Sequence, residues 1–294
     1  MRQILFAALL FMLTVTPAHP QDTPKTVFIS ADMEGISGVV GPDQLAAGGA
    51  EYDRSRRLMA DDVNAAIRGA RAGGATRILV NDSHGSMRNL RIEDLENGVQ
   101  LISHSFKRYG MMEGLDDSFD AAIFIGYHTR AGSPEGIFAH TGSGIVRDVR
   151  VNGQSLGEGG LNTLVAAWYG VPLVLVTGDD AAVDEVGRIA TGARKVTVKR
   201  AINPRAAELR PLADVHREIE SQAREAVAAA ARLEPRREKA YTVEVQFNDL
   251  LIPQVAEILP EMERPAPDTI RFTVTEMPRA YALIRLLYRY IDPD

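Results

Sequence analysis

Four short apolar runs constrain this chain more than any other feature in it. Thr26–Ala31 (TVFISA), Thr76–Val80 (TRILV), Ala121–Tyr127 (AAIFIGY) and Pro172–Thr177 (PLVLVT) read as strands, and most of the intervals between them are long enough for helices. Arg54–Ala72 carries Leu58, Ala65, Ala66 and Ile67 among Arg and Asp, and Gly73-Gly74 stops it. Leu161–Tyr169 is a second helix-like run, ended by Gly170. Strands spaced by helices predict βαβ units, hence an α/β fold with a mostly parallel sheet flanked by helices.

Beyond about residue 200 the texture changes. Pro211–Leu233 predicts a long helix, charged on one side and alanine-rich on the other, as a docked surface helix would be. A strand (Tyr241–Phe247), a helix (Ile252–Leu259), a strand (Thr269–Thr275) and a last helix (Arg279–Tyr290) follow. The reading divides the chain into a larger α/β domain over residues 25–205 and a smaller C-terminal α/β subdomain over 206–294. Residues 1–18 read as a secretory signal peptide: basic Arg2, an apolar run Ile4–Val15, then Thr16-Pro17-Ala18 as a cleavage site. The run is shorter than the ~20 residues of a membrane span. The expectation is an exported protein, periplasmic or secreted, with no stable membrane insertion after cleavage.

Composition narrows the chemistry. The chain has no cysteine and six histidines, so thiol nucleophiles, iron–sulfur clusters and cysteine zinc fingers are excluded. A formal net charge of −6 gives no basic footprint for nucleic acid. What remains is chemistry of carboxylate, imidazole and hydroxyl groups.

Those groups fall in a pattern. The first run leads into Asp32-Met33-Glu34-Gly35, the second into Asn81-Asp82-Ser83-His84, the third into Tyr127-His128 and the fourth into Gly178-Asp179-Asp180. In an open parallel sheet the carboxyl ends of the strands are where ligands bind. Carboxylates and imidazoles set so close to apolar strands need partners, and a metal ion can partner several at once. A His/carboxylate set without sulfur suits Zn²⁺, Mn²⁺, Co²⁺ or Fe²⁺ better than Mg²⁺ or Ca²⁺. Asp32 and Glu34, two apart on an extended segment, share a face. Glu158 lies in a glycine-rich stretch (Leu156–Gly160) just before a helix, where the helix dipole favours a carboxylate. His140, in the glycine-rich loop Phe138–Gly144, is a candidate acid/base, transition-state donor or nucleophile. His104 and His216 read as surface residues, and Asn81-Asp82-Ser83 as a chance glycosylation sequon.

The segments SADMEGISG (30–38), LVNDSHGSMRNL (79–90), MMEGLDDSFDAAIFIGYHTRAG (111–132) and GEGGLNTLVAAWYGVPLVLVTGDD (157–180) resemble the D-aminopeptidase family of zinc-dependent metallopeptidases (M55 type). The resemblance is dense from about residue 26 to 200 and weaker beyond. It implies that Asp32, Glu34, His84, His128 and Glu158 hold two zinc ions, Mn²⁺ or Co²⁺ being alternatives, with Asp32 as the bridge. It places His140 beside them as nucleophile or acid/base. It also implies a homo-oligomer, a decamer of stacked rings, acting on short peptides, including those with an N-terminal D-residue such as D-Ala. Asp32, Glu34 and Asp179 are candidates to hold the substrate's amino group.

Two other readings compete. A phosphoesterase-like metallohydrolase would use a similar donor set, but no basic cluster sits beside the motifs apart from Arg88 and Arg130. A non-catalytic exported protein binding peptide or metal would have no use for His140.

Overall fold

The structure is a computed structural model and describes residues 25–234 and 236–291. The expected signal peptide, residues 1–18, lies outside the described residues. None of the described helices is long and apolar enough to cross a membrane.

The chain opens with β1 (Lys25–Ala31), α1 (Tyr52–Ala72), β2 (Ala75–Asp82), β3 (Gln100–Ile102) and β4 (Ala121–Tyr127). A hairpin, β5 (Val146–Val151) and β6 (Gln154–Ser155), precedes α2 (Glu158–Trp168), β7 (Leu173–Asp179) and α3 (Asp180–Ile189). Then come β8 (Arg194–Asn203), β9 (Ala206–Leu209) and α4 (Leu212–Ala229). The chain closes with β10 (Tyr241–Phe247), α5 (Leu251–Ala256), β11 (Glu263–Ala266), β12 (Thr269–Val274) and α6 (Met277–Arg289).

The main sheet runs β3-β2-β1-β4-β7-β8-β9. Every pairing is parallel except β8–β9, a terminal hairpin. Its four central strands, β2, β1, β4 and β7, contain the four apolar runs, and the order reverses between β1 and β4. Side-chain alternation gives the sheet two cores. Val27, Ile29, Ile123, Ile125 and Val80 pack under α1 and α4. Phe28, Leu79, Phe124 and Val176 face α2, α3 and a second layer.

That second layer is an antiparallel sheet ordered β11-β12-β10-β5-β6. Its pairing crosses the boundary expected at residues 205/206, because β10 takes β5 as one neighbour and β12 as the other. The Asn152-Gly153 turn, with both residues at positive φ (50° and 82°), folds β5 back on β6 and is a strong hairpin signal. Nor does the long helix merely join two parts. α4 lies on α1 so closely that a Cβ at Gly69 would stand 2.2 Å from the Glu220 carbonyl and 2.7 Å from the Ala223 Cβ. The alanine-rich side of α4 is what permits this approach.

The α2 boundary and the presence of α3 also differ from expectation. α2 begins at Glu158 rather than Leu161, since Gly159 and Gly160 form its first turn instead of a loop. Added Cβ atoms there would lie 2.3 Å from Val186 and 2.7 Å from Ile189, both on α3. α3 itself follows β7 with no intervening loop, so no turn signal marks it.

His216, expected at the surface, is partly buried on α4, with Nε2 3.1 Å from Oδ1 of fully buried Asp62. Asp62 also accepts from Ser37 N and Oγ. The aspartate raises the imidazole's pKa above its ordinary value. A raised pKa gives stabilisation that is full below about pH 6.5 and fades as pH rises through the folded value. His216→Gln is therefore expected to lower the melting temperature near pH 6 and to converge on wild type by pH 9. The difference corresponds to at most about 1 kcal/mol, because solvent screens the pair.

Candidate metal centre

The turn after β1 and the end of β4 meet at the point where the strand order reverses, the crevice that an open α/β sheet offers to ligands. Two glycines let the backbones close up there. A Cβ on Gly35 would stand 1.9 Å from the Tyr127 carbonyl, and one on Gly126 (φ +75°) 2.3 Å from the Asp32 carbonyl. In their place run the hydrogen bonds Asp32 N–H to Ile125 O (2.8 Å) and Gly35 N–H to Gly126 O (2.7 Å). Met33 turns into the core under α1, while Asp32 and Glu34 point together into the crevice. The extension of β2 adds His84, that of β4 adds His128, and the first residue of α2 adds Glu158.

Asp32 sits centrally. Its Oδ1 lies 3.3 Å from His84 Nδ1, which is 2.8 Å from Glu34 Oε2. Its Oδ2 lies 3.4 Å from His128 Nε2, which is 3.2 Å from Glu158 Oε2. Two ligand triads, Asp32/Glu34/His84 and Asp32/His128/Glu158, therefore share one carboxylate, an oxygen to each. A third grouping, Glu34/His128/His140, overlaps both.

Each imidazole has one nitrogen engaged by a backbone carbonyl: His84 Nε2 by Leu45 O (2.7 Å), His128 Nδ1 by Thr129 O (2.9 Å) and His140 Nδ1 by Phe138 O (2.8 Å). A carbonyl only accepts, so the nitrogen facing it carries the proton. The other nitrogen of each ring faces the carboxylate cluster, and against burial those carboxylates raise His84 and His128 well above the ordinary imidazole pKa. A cation bound there would displace the proton and meet the ring nitrogen in the orientation that metal-ligating histidines take. Asp32 Oδ2 is buried with no hydrogen-bond partner, an arrangement that costs free energy unless something fills it. Burial and the nearby Glu34 push the Asp32 carboxyl well above its ordinary range. Against the same burial, the neighbouring imidazoles hold Glu34 well below its ordinary range and Glu158 at a pKa of about 2, so Asp32 is the carboxyl that resists ionisation without a cation. The residues present fit a divalent metal.

Other candidates are placed elsewhere. Asp179 is fully buried: its Oδ1 caps α3 through Ala182 N–H and its Oδ2 accepts from Ile137 N–H, both at 2.8 Å. It is committed to the fold and cannot also hold a substrate amine. Asp82 accepts from the N–H groups of Asn89 and Leu90, which pins the loop carrying His84. Asn81 is fully buried beneath the site. His104 is exposed and in none of the ligand groupings, with Nδ1 2.9 Å from Ser103 Oγ.

His140 stacks on His128, centroids 4.1 Å apart and planes within 9°. Its Nε2 lies 3.6 Å from Glu158 Oε1 and 4.0 Å from Glu34 Oε1. At 29% side-chain exposure it is the open member of the group.

Sequence reading missed a wall of this site. A cavity of about 90 Å³ over the cluster is lined by Asp32, Glu34, His140 and Glu158 on one side and by Arg285, Tyr288 and Arg289 of α6 on the other. It also missed Lys199 of β8, fully buried, whose Nζ donates to the carbonyls of Glu34 (2.6 Å), Ile36 (3.1 Å) and Val39. Neither region carries a local motif; Arg285, Tyr288 and Arg289 read as the polar face of an ordinary helix.

Fold and site together define an α/β protein with a carboxylate–imidazole cluster that fits divalent cations at its topological switch point. The chain belongs to the D-aminopeptidase family (peptidase family M55), which matches residues 26–286. It is 42% identical to a D-aminopeptidase of Bacillus subtilis (strain 168) over 178 residues, 59% of this chain and 65% of that protein, so the match spans just under two thirds of that relative. In three dimensions it is similar to the Zn-dependent D-aminopeptidase DppA of Bacillus subtilis, described as a self-compartmentalizing protease. The TM-score is 0.86 at 32% identity, over 92% of this chain and 99% of that one.

Proposed function

We propose that the protein is a metal-dependent aminopeptidase that cleaves short peptides, including those with an N-terminal D-residue, at a dinuclear zinc site. The observation that carries this reading is the pair of ligand triads sharing Asp32, with one nitrogen of each imidazole turned toward the carboxylates. Asp32, Glu34 and His84 would hold one ion, and Asp32, His128 and Glu158 the other. When bound, such ions supply Lewis acidity to the scissile carbonyl and acidify a water toward pKa ~7.

The remaining work falls to the chain. His140, its Nδ1–H tied to Phe138 O, has Nε2 free on the open side to take a proton and return it to the leaving amine. Glu34 and Asp32 face the position of the substrate's amino group, now that Asp179 is excluded. Backbone N–H groups of the 140–144 loop are partly spent, since Gly142 N–H donates to Glu158 Oε1 at 2.5 Å.

The test is hydrolysis of paired D- and L-alanyl peptides by zinc-loaded protein, with p-nitrophenyl phosphate alongside. Peptide turnover without phosphatase activity supports the reading; phosphatase activity alone transfers it to the competing class. This comparison matters because Arg285 and Arg289 supply the basic groups whose absence from the motifs counted against a phosphoesterase. His140→Ala is expected to retain zinc yet lose about 10²- to 10⁴-fold in kcat; zinc content and turnover measured on one preparation check it.

We also propose export, on the strength of residues 1–18, and a homo-oligomer, decameric by the family resemblance. N-terminal sequencing of secreted material and sedimentation analysis test the two.

A further inference from the structure

Among the described residues, Arg285 is a buried cation without an anion. It is 3% exposed, and the neighbours that bear on its charge are Tyr288, Tyr281 and Tyr290 rather than a carboxylate. Its guanidinium donates to Lys107 O (3.3 Å), Tyr288 Oη (3.3 Å) and Tyr290 Oη (3.4 Å), all uncharged acceptors, and its Nε has no partner. A buried charge is ordinarily matched by a counter-charge. One helical turn on, exposed Arg289 reaches Gly85 O at 3.3 Å, next to His84. Both arginines line the cavity whose opposite wall is Asp32, Glu34 and Glu158.

The cavity is thus polarised, anionic at the ligand cluster and cationic along α6. A short peptide has the matching polarity, with its amino end toward the carboxylates and its carboxylate on the far side. The cavity, about 90 Å³, holds about three waters, room for a small residue and little more. Guanidinium is also the group best suited to grip a carboxylate through paired N–H donors.

We propose that Arg285 and Arg289 form the subsite for the substrate's C-terminal carboxylate, so that the preferred substrates are very short peptides with a free carboxyl end. This rests on the aminopeptidase reading above and narrows its substrate class. Arg289 makes the direct contact, and buried Arg285 supplies the fixed positive field behind it.

The experiment compares alanyl dipeptides, in D and L series, with their C-terminal amides, using zinc-loaded full-length protein. Wild type is expected to favour the free acid at least ~10-fold in kcat/KM, mostly through KM, as a charge-assisted hydrogen bond would give. Arg289→Gln should bring that ratio close to one, and Arg289→Lys should restore part of it. Because Arg285→Gln risks unfolding α6, exposed Arg289 carries the test. Equal hydrolysis of acid and amide by wild type, or an undiminished preference in Arg289→Gln, overturns the carboxylate subsite alone. Hydrolysis of no peptide overturns the aminopeptidase reading and this one with it.

Discussion

Replacing Asp32 by asparagine is expected to abolish zinc uptake and cut peptide hydrolysis on the order of 10³-fold or more, while stabilising the metal-free protein. The two effects have opposite signs for one reason. Asp32 presents one oxygen to each ligand triad, and Oδ2 has no other partner. An amide offers only one oxygen, and its NH₂ cannot bind a cation. In the absence of metal, however, the carboxylate is a liability: burial and Glu34 hold its pKa well above the usual range. Raised carboxyl pKa means that ionised Asp32 opposes folding at neutral pH, and the neutral isostere removes that cost. Metal analysis, kcat/KM and thermal melts in excess chelator check the three parts. An Asp32→Asn protein that binds two zinc ions would contradict the bridging role.

The second large effect is expected at Lys199, far from any motif. Its ammonium is fully buried and ties together the carbonyls of Glu34, Ile36 and Val39. Burial lowers its pKa to about 8 against the pull of Asp179, Asp62, Glu34 and Asp32. Lys199→Met keeps the length of the side chain but leaves three carbonyls without a donor. At about 1–3 kcal/mol for each unsatisfied group, a loss of about 3 kcal/mol or more follows. The released segment begins at Glu34, so zinc affinity should fall with stability. Denaturant unfolding and zinc titration of the same variant measure both, and a Lys199→Met protein of wild-type stability would refute the account.

How much of this was legible in the sequence follows from how local each signal is. The four central strands were plain because a buried parallel strand is apolar on both faces and short. The residues at their carboxyl ends were informative for the same reason, since polar groups abutting such strands need partners. Asp32, Glu34, His84, His128, His140 and Glu158 converge because the parallel order β2-β1-β4 brings strand ends to one edge. The second sheet was less legible, being built from segments nearly a hundred residues apart, although Asn152-Gly153 marked its hairpin. Arg285, Tyr288, Arg289 and Lys199 carried no signal. Their roles depend on which distant backbone they meet, and one-dimensional spacing does not record that.

The placement of α6 separates the basic wall from the metal-ligand candidates along the chain. All five metal-ligand candidates and His140 precede β7, so every donor atom is encoded well before α6. The basic wall arrives with the last helix. A chain cut before α6 would therefore keep every candidate metal ligand and lose Arg285 and Arg289 from the cavity wall.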